Sequence, residues 1–331
     1  MSNAAKRKTA YYARKTAILL ISILALSMLV FAMSRFTPMD PLTSYYGERT
    51  EKMSVEEKDA ARERLGLNDS VPVQYIRWAS GALHGDLGVS YKYKQPVTDV
   101  AAGRVLNTAL LGGIGFVIIF AGATMIGMYC ARREDSRADK IICRLGTVTS
   151  CIPEFWISLM LIFLFSVTWH IFPSSNAYSV GGGGFGDRLH HLVLPMIVVV
   201  IGHLWYYAYM IRNMLLEEVR QDYVLLYRSI GLSAKKIMRR HCLRNIMPQL
   251  ISVMAISVSH ILGGTYVVEM VFSYPGIGML CYESARYADY NLLMYLSMLT
   301  GIIVITLNIL GQIISERIDP RVKAEEAAYE N

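Results

Sequence analysis

Nineteen residues separate Lys15 from Arg35, and none of them carries a charge. In a packed soluble domain such a run is hard to place. In a bilayer it is the length that a helix needs, since about 20 apolar residues at 1.5 Å each cross the hydrocarbon. Five more segments of this kind follow. They lie between Arg104 and Arg132, from about Leu145 to His170, from about His191 to Ile211, between Arg244 and Glu269, and between Asp289 and Glu316. Composition agrees: 53% of the 331 residues are hydrophobic and 18% are charged, against about a quarter charged in an ordinary soluble domain. The expected fold class is therefore all-α: a polytopic membrane protein with six transmembrane helices.

The first apolar run is longer than a signal-peptide core and has no A-x-A site after it, so it is expected to stay as a signal-anchor helix. Orientation follows from the basic loops. Lys6, Arg7, Lys8, Arg14 and Lys15 precede the first span, and Arg132, Arg133, Arg137, Lys140 and Arg144 follow the second. Arg212, Arg220, Arg228, Lys235, Lys236, Arg239, Arg240 and Arg244 follow the fourth. The segments "PSSNAYSVGGGGFGDRLH" and "SYPGIGMLCYESARYAD" hold one arginine each. The positive-inside rule then puts both termini in the cytoplasm. The expected organisation is a cytoplasmic N-terminus 1–15, a first helix 16–36, an extracytoplasmic segment 37–103, a core 104–316 containing a cytoplasmic loop 212–247, and a cytoplasmic tail 317–331. A net charge of +7 is accounted for by these loops and calls for no nucleic-acid partner.

The outer segment has soluble character. In "SVEEKDAARERLGL", Ser54 is placed as N-cap, Glu57 completes a capping box, and Gly66 stops the helix. "VQYIRWASGAL" puts Tyr75 and Trp78 where an interfacial helix would carry them.

Several chemistries find no support. No G-x-x-x-x-G-K-[ST] is present, so the chain has no P-loop for ATP. "GGGGFG" (Gly181 to Gly186) follows no strand and reads as an outer loop. No H-E-x-x-H or G-x-S-x-G occurs, and Ser259 and His260 are helix neighbours that point about 100° apart. His170, His190 and His191 read as loop histidines, and the five cysteines form no C-x-x-C. No metal site, cofactor or catalytic residue is expected. Glu154, beside Pro153, and Glu269, in "VVEMVF", are intramembrane carboxylates. Each is either solvated at headgroup level or faces a cavity or partner, and both are substrate-pathway candidates.

The loop after the fourth span is the most informative stretch. Val219, Tyr223, Leu226 and Ile230 recur at helical spacing and predict one stripe. Gly231 supplies a left-handed stop, and Ser233 caps the next helix. There Lys236, Arg240 and Arg244 share one side, Met238, Cys242 and Ile246 roughly the other, and Pro248 marks entry to the fifth span. The membrane tether at each end argues against a DNA-reading helix-turn-helix. An amphipathic surface on anionic lipid is the plain alternative. A docking element for a cytoplasmic partner explains the Gly231-Leu232-Ser233 corner better.

The stretch "DYVLLYRSIGLSAKKIMRRHCLRNIMP" (Asp222 to Pro248) resembles the "EAA" loop of permease subunits in ATP-binding-cassette importers, in the form found in the dipeptide/oligopeptide/nickel family. "RFTPMDP" (Arg35 to Pro41), "LHGDLGVSY" (Leu83 to Tyr91), "CIPEFW" (Cys151 to Trp156), "VVEMVFSYPGIG" (Val267 to Gly278) and "DPRVK" are similar to further blocks of that family, in family order. The sequence departs from the pattern at Leu226 and Tyr227, where the general motif has Ala-Ala, at Thr37 and Met39, and at Glu154, where Ser is usual.

The resemblance implies a type I importer permease fold, and Asp222, Tyr223, Leu226, Arg228, Gly231, Leu232, Ser233, Lys235 and Lys236 as the ATPase-docking loop. It implies a second permease subunit, two ATPase subunits, an extracellular binding protein met in part by residues 37–103, and a bacterial or archaeal cytoplasmic membrane. ATP-driven closure of the ATPase pair would swing the loop and open the helices outward. A peptide cargo is expected. A nickel or metal-chelate permease of the same family is the alternative, and a membrane-anchored signalling or assembly protein is a third reading.

Overall fold

The computed structural model describes residues 3–36 and 40–319. Thr37 and Met39 of "RFTPMDP", Pro320 to Lys323 of "DPRVK", and the rest of the tail lie outside the described residues. The chain divides into two compact units, one of residues 1–106 and 276–306, the other of residues 107–275 and 307–331.

In the first unit, α1 (Asn3–Phe36) is a single helix. Ile21, Leu24, Met28 and Met33 stand exposed along it, as expected of a helix meeting lipid. Its buried edge is Ser27, Phe31 and Ser34. Four short helices follow: α2 (Pro41–Tyr46), α3 (Arg49–Lys52), α4 (Val55–Arg64) and α5 (Val71–Leu83). The α4 capping box forms as the sequence predicts, with Glu57 N donating to Ser54 Oγ and Ser54 N donating to Glu57. Gly66 ends the helix at φ 66°, and Leu67 N closes on Arg62 O.

In α5 the two aromatics pack against α1. Tyr75 shares a hydrogen bond of 2.8 Å with Ser27 and packs edge-on to Phe31, with Trp78 beside it. They hold α5 to α1, while Ile76 and Leu83 stay open. This unit also contains the start of α6 (Val97–Arg132), α13 (Ile277–Arg286) and the first half of α14 (Tyr290–Ile318). Asp289 is fully buried and accepts from Ser90 Oγ and Lys92 N, while Glu283 accepts from Lys92 Nζ and Tyr93 Oη. These bonds fasten the 84–96 loop to α13 and α14.

The second unit holds the remaining helices: the rest of α6, α7 (Arg137–Cys151), α8 (Glu154–Leu161, continued as a π-helix through Thr168), α9 (Phe185–Val219), α10 (Asp222–Ser229), α11 (Ala234–Ile237, continued as a π-helix through Cys242), α12 (Leu243–Val271) and the end of α14. Its core runs from Leu111 and Ile119 through Val198, Ile211 and Leu215 to Ile261 and Val268. Gly127 is where α6 meets α9: a Cβ there would lie 3.0–3.2 Å from Ile211, Arg212 N and Ala208 O. At the end of the α6–α7 turn, Asp139 takes a bidentate pair of bonds from Arg212, at 2.6 and 2.5 Å.

Two expected spans need correction. The segment from Leu145 to His170 is not one straight helix: α7 and α8 meet at 97° across Ile152 and Pro153. Pro153 disfavours helical geometry in the residue before it, and Ile152 is extended (φ −90°, ψ 121°). Pro248 does not begin a helix either. The helix runs unbroken from Ala234 to Val271, with Pro248 inside it. Pro248 O accepts Ser315 Oγ at 2.8 Å. Among the described residues five helices are long and apolar enough to cross a membrane, and six if the bent α7–α8 pair is one span.

Candidate functional site

Helix α9 stops at Val219, and Gln221 is extended before α10 begins. The expected stripe from Val219 to Ile230 is therefore broken, because Val219 and Tyr223 belong to different helices. The side chain that α10 buries is Val224, at 1% exposure. Leu225, Leu226 and Ile230 point outward, each 60% exposed or more. Asp222, Arg228, Gly231, Ser233, Lys235 and Lys236 are exposed as well, and Tyr223 and Leu232 are half-buried.

The corner after α10 matches the sequence reading. Gly231 has φ 83°. Its N–H bonds Arg228 O, and Leu232 N bonds Tyr227 O, both at 3.0 Å. That pair of bonds is a Schellman closure, which needs a left-handed residue at the glycine. Ser233 Oγ then accepts from Lys236 N to start α11.

The rear of this hairpin is anchored. Ile237, Met238, Cys242 and Ile246 are buried, and Lys236, Arg240 and Arg244 are exposed on the other side, as the spacing predicts. Tyr223 Oη donates to Glu218 at 2.6 Å, and Asn245 donates to the same oxygen at 2.9 Å. Burial, and then the bond to Glu218, push the Tyr223 phenol well above its ordinary range, so it stays a donor at neutral pH. The Tyr227 ring lies 4.1 Å from that of His241. The result is a rigid corner that shows an apolar patch (Leu225, Leu226, Ile230) beside cations. Ser233, Lys235, Lys236, Arg239 and Arg240 line an open depression of about 410 Å³ next to it.

The two intramembrane carboxylates are both turned inward. Glu269 is fully buried and accepts from Thr108 Oγ1 at 2.5 Å, so it is not a solvated headgroup-level acid. Glu154 lies 3.4 Å from His203 Nδ1, with its side chain 19% exposed. The sequence reading missed His203 and Thr108, which carry no local motif. His190 and His191 place ring nitrogens on the loop carbonyls of Ile171 and Ser175, at 2.8 Å each. Among the described residues no three His, Cys, Asp or Glu side chains come together to hold a metal ion.

The long apolar helices describe a multi-pass membrane protein, and comparison with known proteins identifies the class. Residues 123–324 match the family described as binding-protein-dependent transport system inner membrane component, and residues 9–112 match the corresponding N-terminal family. The chain belongs to this family: it is a permease of the ATP-binding-cassette importer class. It is 32% identical over 303 residues to a putative peptide permease protein of Brucella ovis, covering 91% of this chain and 95% of that one. It is 29% identical to the oligopeptide transport system permease protein AppB of Bacillus subtilis, covering 95% and 99%. To the dipeptide transport system permease protein DppB of Escherichia coli it is 28% identical, covering 94% and 97%. A chain of the MetNI methionine ABC transporter in an inward-facing conformation shares the fold, with a TM-score of 0.53 at 16% identity, over 67% of this chain and 98% of that one.

Proposed function

We propose that this chain forms half of a translocation pathway for peptides and docks through residues 222–236 on a separate ATPase subunit. The observation that carries the docking is the outward patch of Leu225, Leu226 and Ile230 on a corner locked by Gly231. Three neighbouring large apolar side chains at 60% exposure or more are costly in water and mark a binding surface. The cations Arg228, Lys235 and Lys236 beside them suit an acidic rim on the partner.

The chain then works as a transport subunit with no ATPase site of its own. It pairs with a second, non-identical permease chain, two ATP-binding subunits and an extracellular binding protein. The setting is a bacterial or archaeal cytoplasmic membrane, with both termini on the cytoplasmic side and residues 40–96 contributing to the outer face. Peptide is favoured over nickel or a metal chelate by the names of the relatives and by His190 and His191, whose rings are engaged with loop carbonyls.

The test is ATP-driven uptake of a labelled dipeptide by the whole importer in proteoliposomes, with and without Leu226→Glu. The variant is expected to insert normally and to lose ATP-driven uptake, because it places a carboxylate in the apolar contact. Parental uptake by the variant overturns the docking assignment.

A further inference from the structure

Glu154 opens α8 directly after Pro153. Two glycines on other helices leave room for its carboxylate. A Cβ at Gly202 of α9 would sit 2.8 Å from Oε1. One at Gly264 of α12 would sit 2.8 Å from Oε1, 2.9 Å from Oε2 and 2.8 Å from His203 Cε1. Real Cβ atoms do not come that close to an oxygen, so the acid fits because both positions lack a side chain.

His203 is the polar side chain set against this acid among the described residues, and it does not saturate it. Its Nδ1 lies 3.1 Å from Val199 O, in its own helix, and 3.4 Å from Glu154 Oε1. The ring hydrogen that bonds Val199 O is at best shared with the acid. A carboxylate offers roughly four acceptor positions. Glu269, in contrast, is fully buried and holds Thr108 at 2.5 Å. The Glu154 and His203 side chains keep 19% and 13% of their surface, so the acid is not sealed from its surroundings.

We propose that Glu154, in the niche cleared by Gly202 and Gly264, is a binding station for a compact organic ammonium, the free amine of the transported molecule. This rests on the peptide-pathway reading above. A carboxylate at membrane depth requires a partner, and the N-terminus of α8 favours its negative charge. An ammonium brings three donors and is small enough for a site walled by two glycines. His203 steadies the empty site and yields its long contact when the cation enters. The site recognises a charge and makes no claim on the side chains of the cargo.

Two measurements on the purified whole importer test this. The first is thermal unfolding with glycinamide, a small ammonium, or with its neutral counterpart N-acetylglycinamide. Glycinamide is expected to raise the apparent Tm and N-acetylglycinamide to leave it in place. The glycinamide shift should vanish in Glu154→Gln and in Gly264→Ala, whose new methyl enters the niche. Equal shifts with both compounds, no shift with either, or a shift that persists in Glu154→Gln overturns the station.

The second is ATP-driven uptake of a dipeptide and of its N-acetylated form. Loss of one charge-assisted bond corresponds to a change of about tenfold or more. Glu154→Gln should therefore cut uptake of the free-amine dipeptide by about that factor and spare the acetylated one. Equal loss for both assigns Glu154 a structural role and overturns the station. If the parent importer moves no peptide while glycinamide still shifts the Tm through Glu154, the peptide reading fails and the cation station stands.

Discussion

Replacing Asp139 by Asn tests how the second unit is held together. Asp139 is 1% exposed and receives Arg212 Nε at 2.6 Å and Nη2 at 2.5 Å, with Asp135 N at 3.0 Å. The amide keeps the volume but turns two donors toward a guanidinium that has only donors. Arg212 is then left as a cation with 15% of its side chain exposed. Breaking a buried pair on one side costs about 3–5 kcal/mol. The 15% opening at Arg212 lets water reach the stranded charge, so the lower end, about 3 kcal/mol, is expected. Asp139→Leu combined with Arg212→Met removes both charges and should recover most of that loss. The assay is unfolding of the detergent-purified chain, titrated with sodium dodecyl sulfate, for Asp139→Asn and for Asp139→Leu, Arg212→Met and their double variant, the last three read as a double-mutant cycle. If Asp139→Asn lies within about 0.5 kcal/mol of the parent, or if the two single losses simply add in the double variant, the reasoning about this pair is wrong.

Other consequences are as direct. Gly231→Ala forces a Cβ into a residue at φ 83° and should cost about 1–2 kcal/mol of corner stability, while Gly231→Asn should cost less; proteolysis of the 220–233 segment reads both. Tyr93 donates to Glu283 at 2.5 Å, and burial, then that bond, push its phenol up to about 12. Because the folded value is the higher one, the contribution of this bond is complete below pH about 10, the ordinary tyrosine value. It fades as pH rises through about 12. Absorbance titration should show one fewer late-titrating tyrosine in Tyr93→Phe than in the parent. Although burial of Glu283 acts the other way, its bonds from Tyr93 and Lys92 hold its carboxyl below the usual range. The loop it fastens should therefore loosen as pH falls through that depressed value, a change visible in hydrogen exchange of residues 84–96.

What could be read from the sequence was local. The capping box of Ser54 and Glu57, the left-handed Gly231, the Ser233 cap and the buried Met238–Cys242–Ile246 side all depend on neighbours within a turn or two, and all are present in the structure. The spans were legible because charge-free length is itself a local property. Periodicity failed at Val219 to Tyr223, where a break at Arg220 and Gln221 contains no Gly or Pro to announce it. Pro153 lay inside the expected third span, and the 97° turn there depends on what α7 and α8 pack against. The partners of Glu269 and Glu154 were out of reach for the same reason. Thr108 is 161 residues from Glu269, and the niche of Glu154 is built from glycines on α9 and α12 that show no pattern until the helices are packed.

The central claim is that the Gly231 corner presents Leu226 to another protein. A photoreactive benzoylphenylalanine at position 226, in cells that express the whole importer, tests it most directly, with position 76 on the open side of α5 as control. The account predicts a covalent adduct with the ATP-binding subunit from position 226 and none from position 76. An adduct with lipid alone at position 226, or no protein adduct there while the importer remains active, would contradict it.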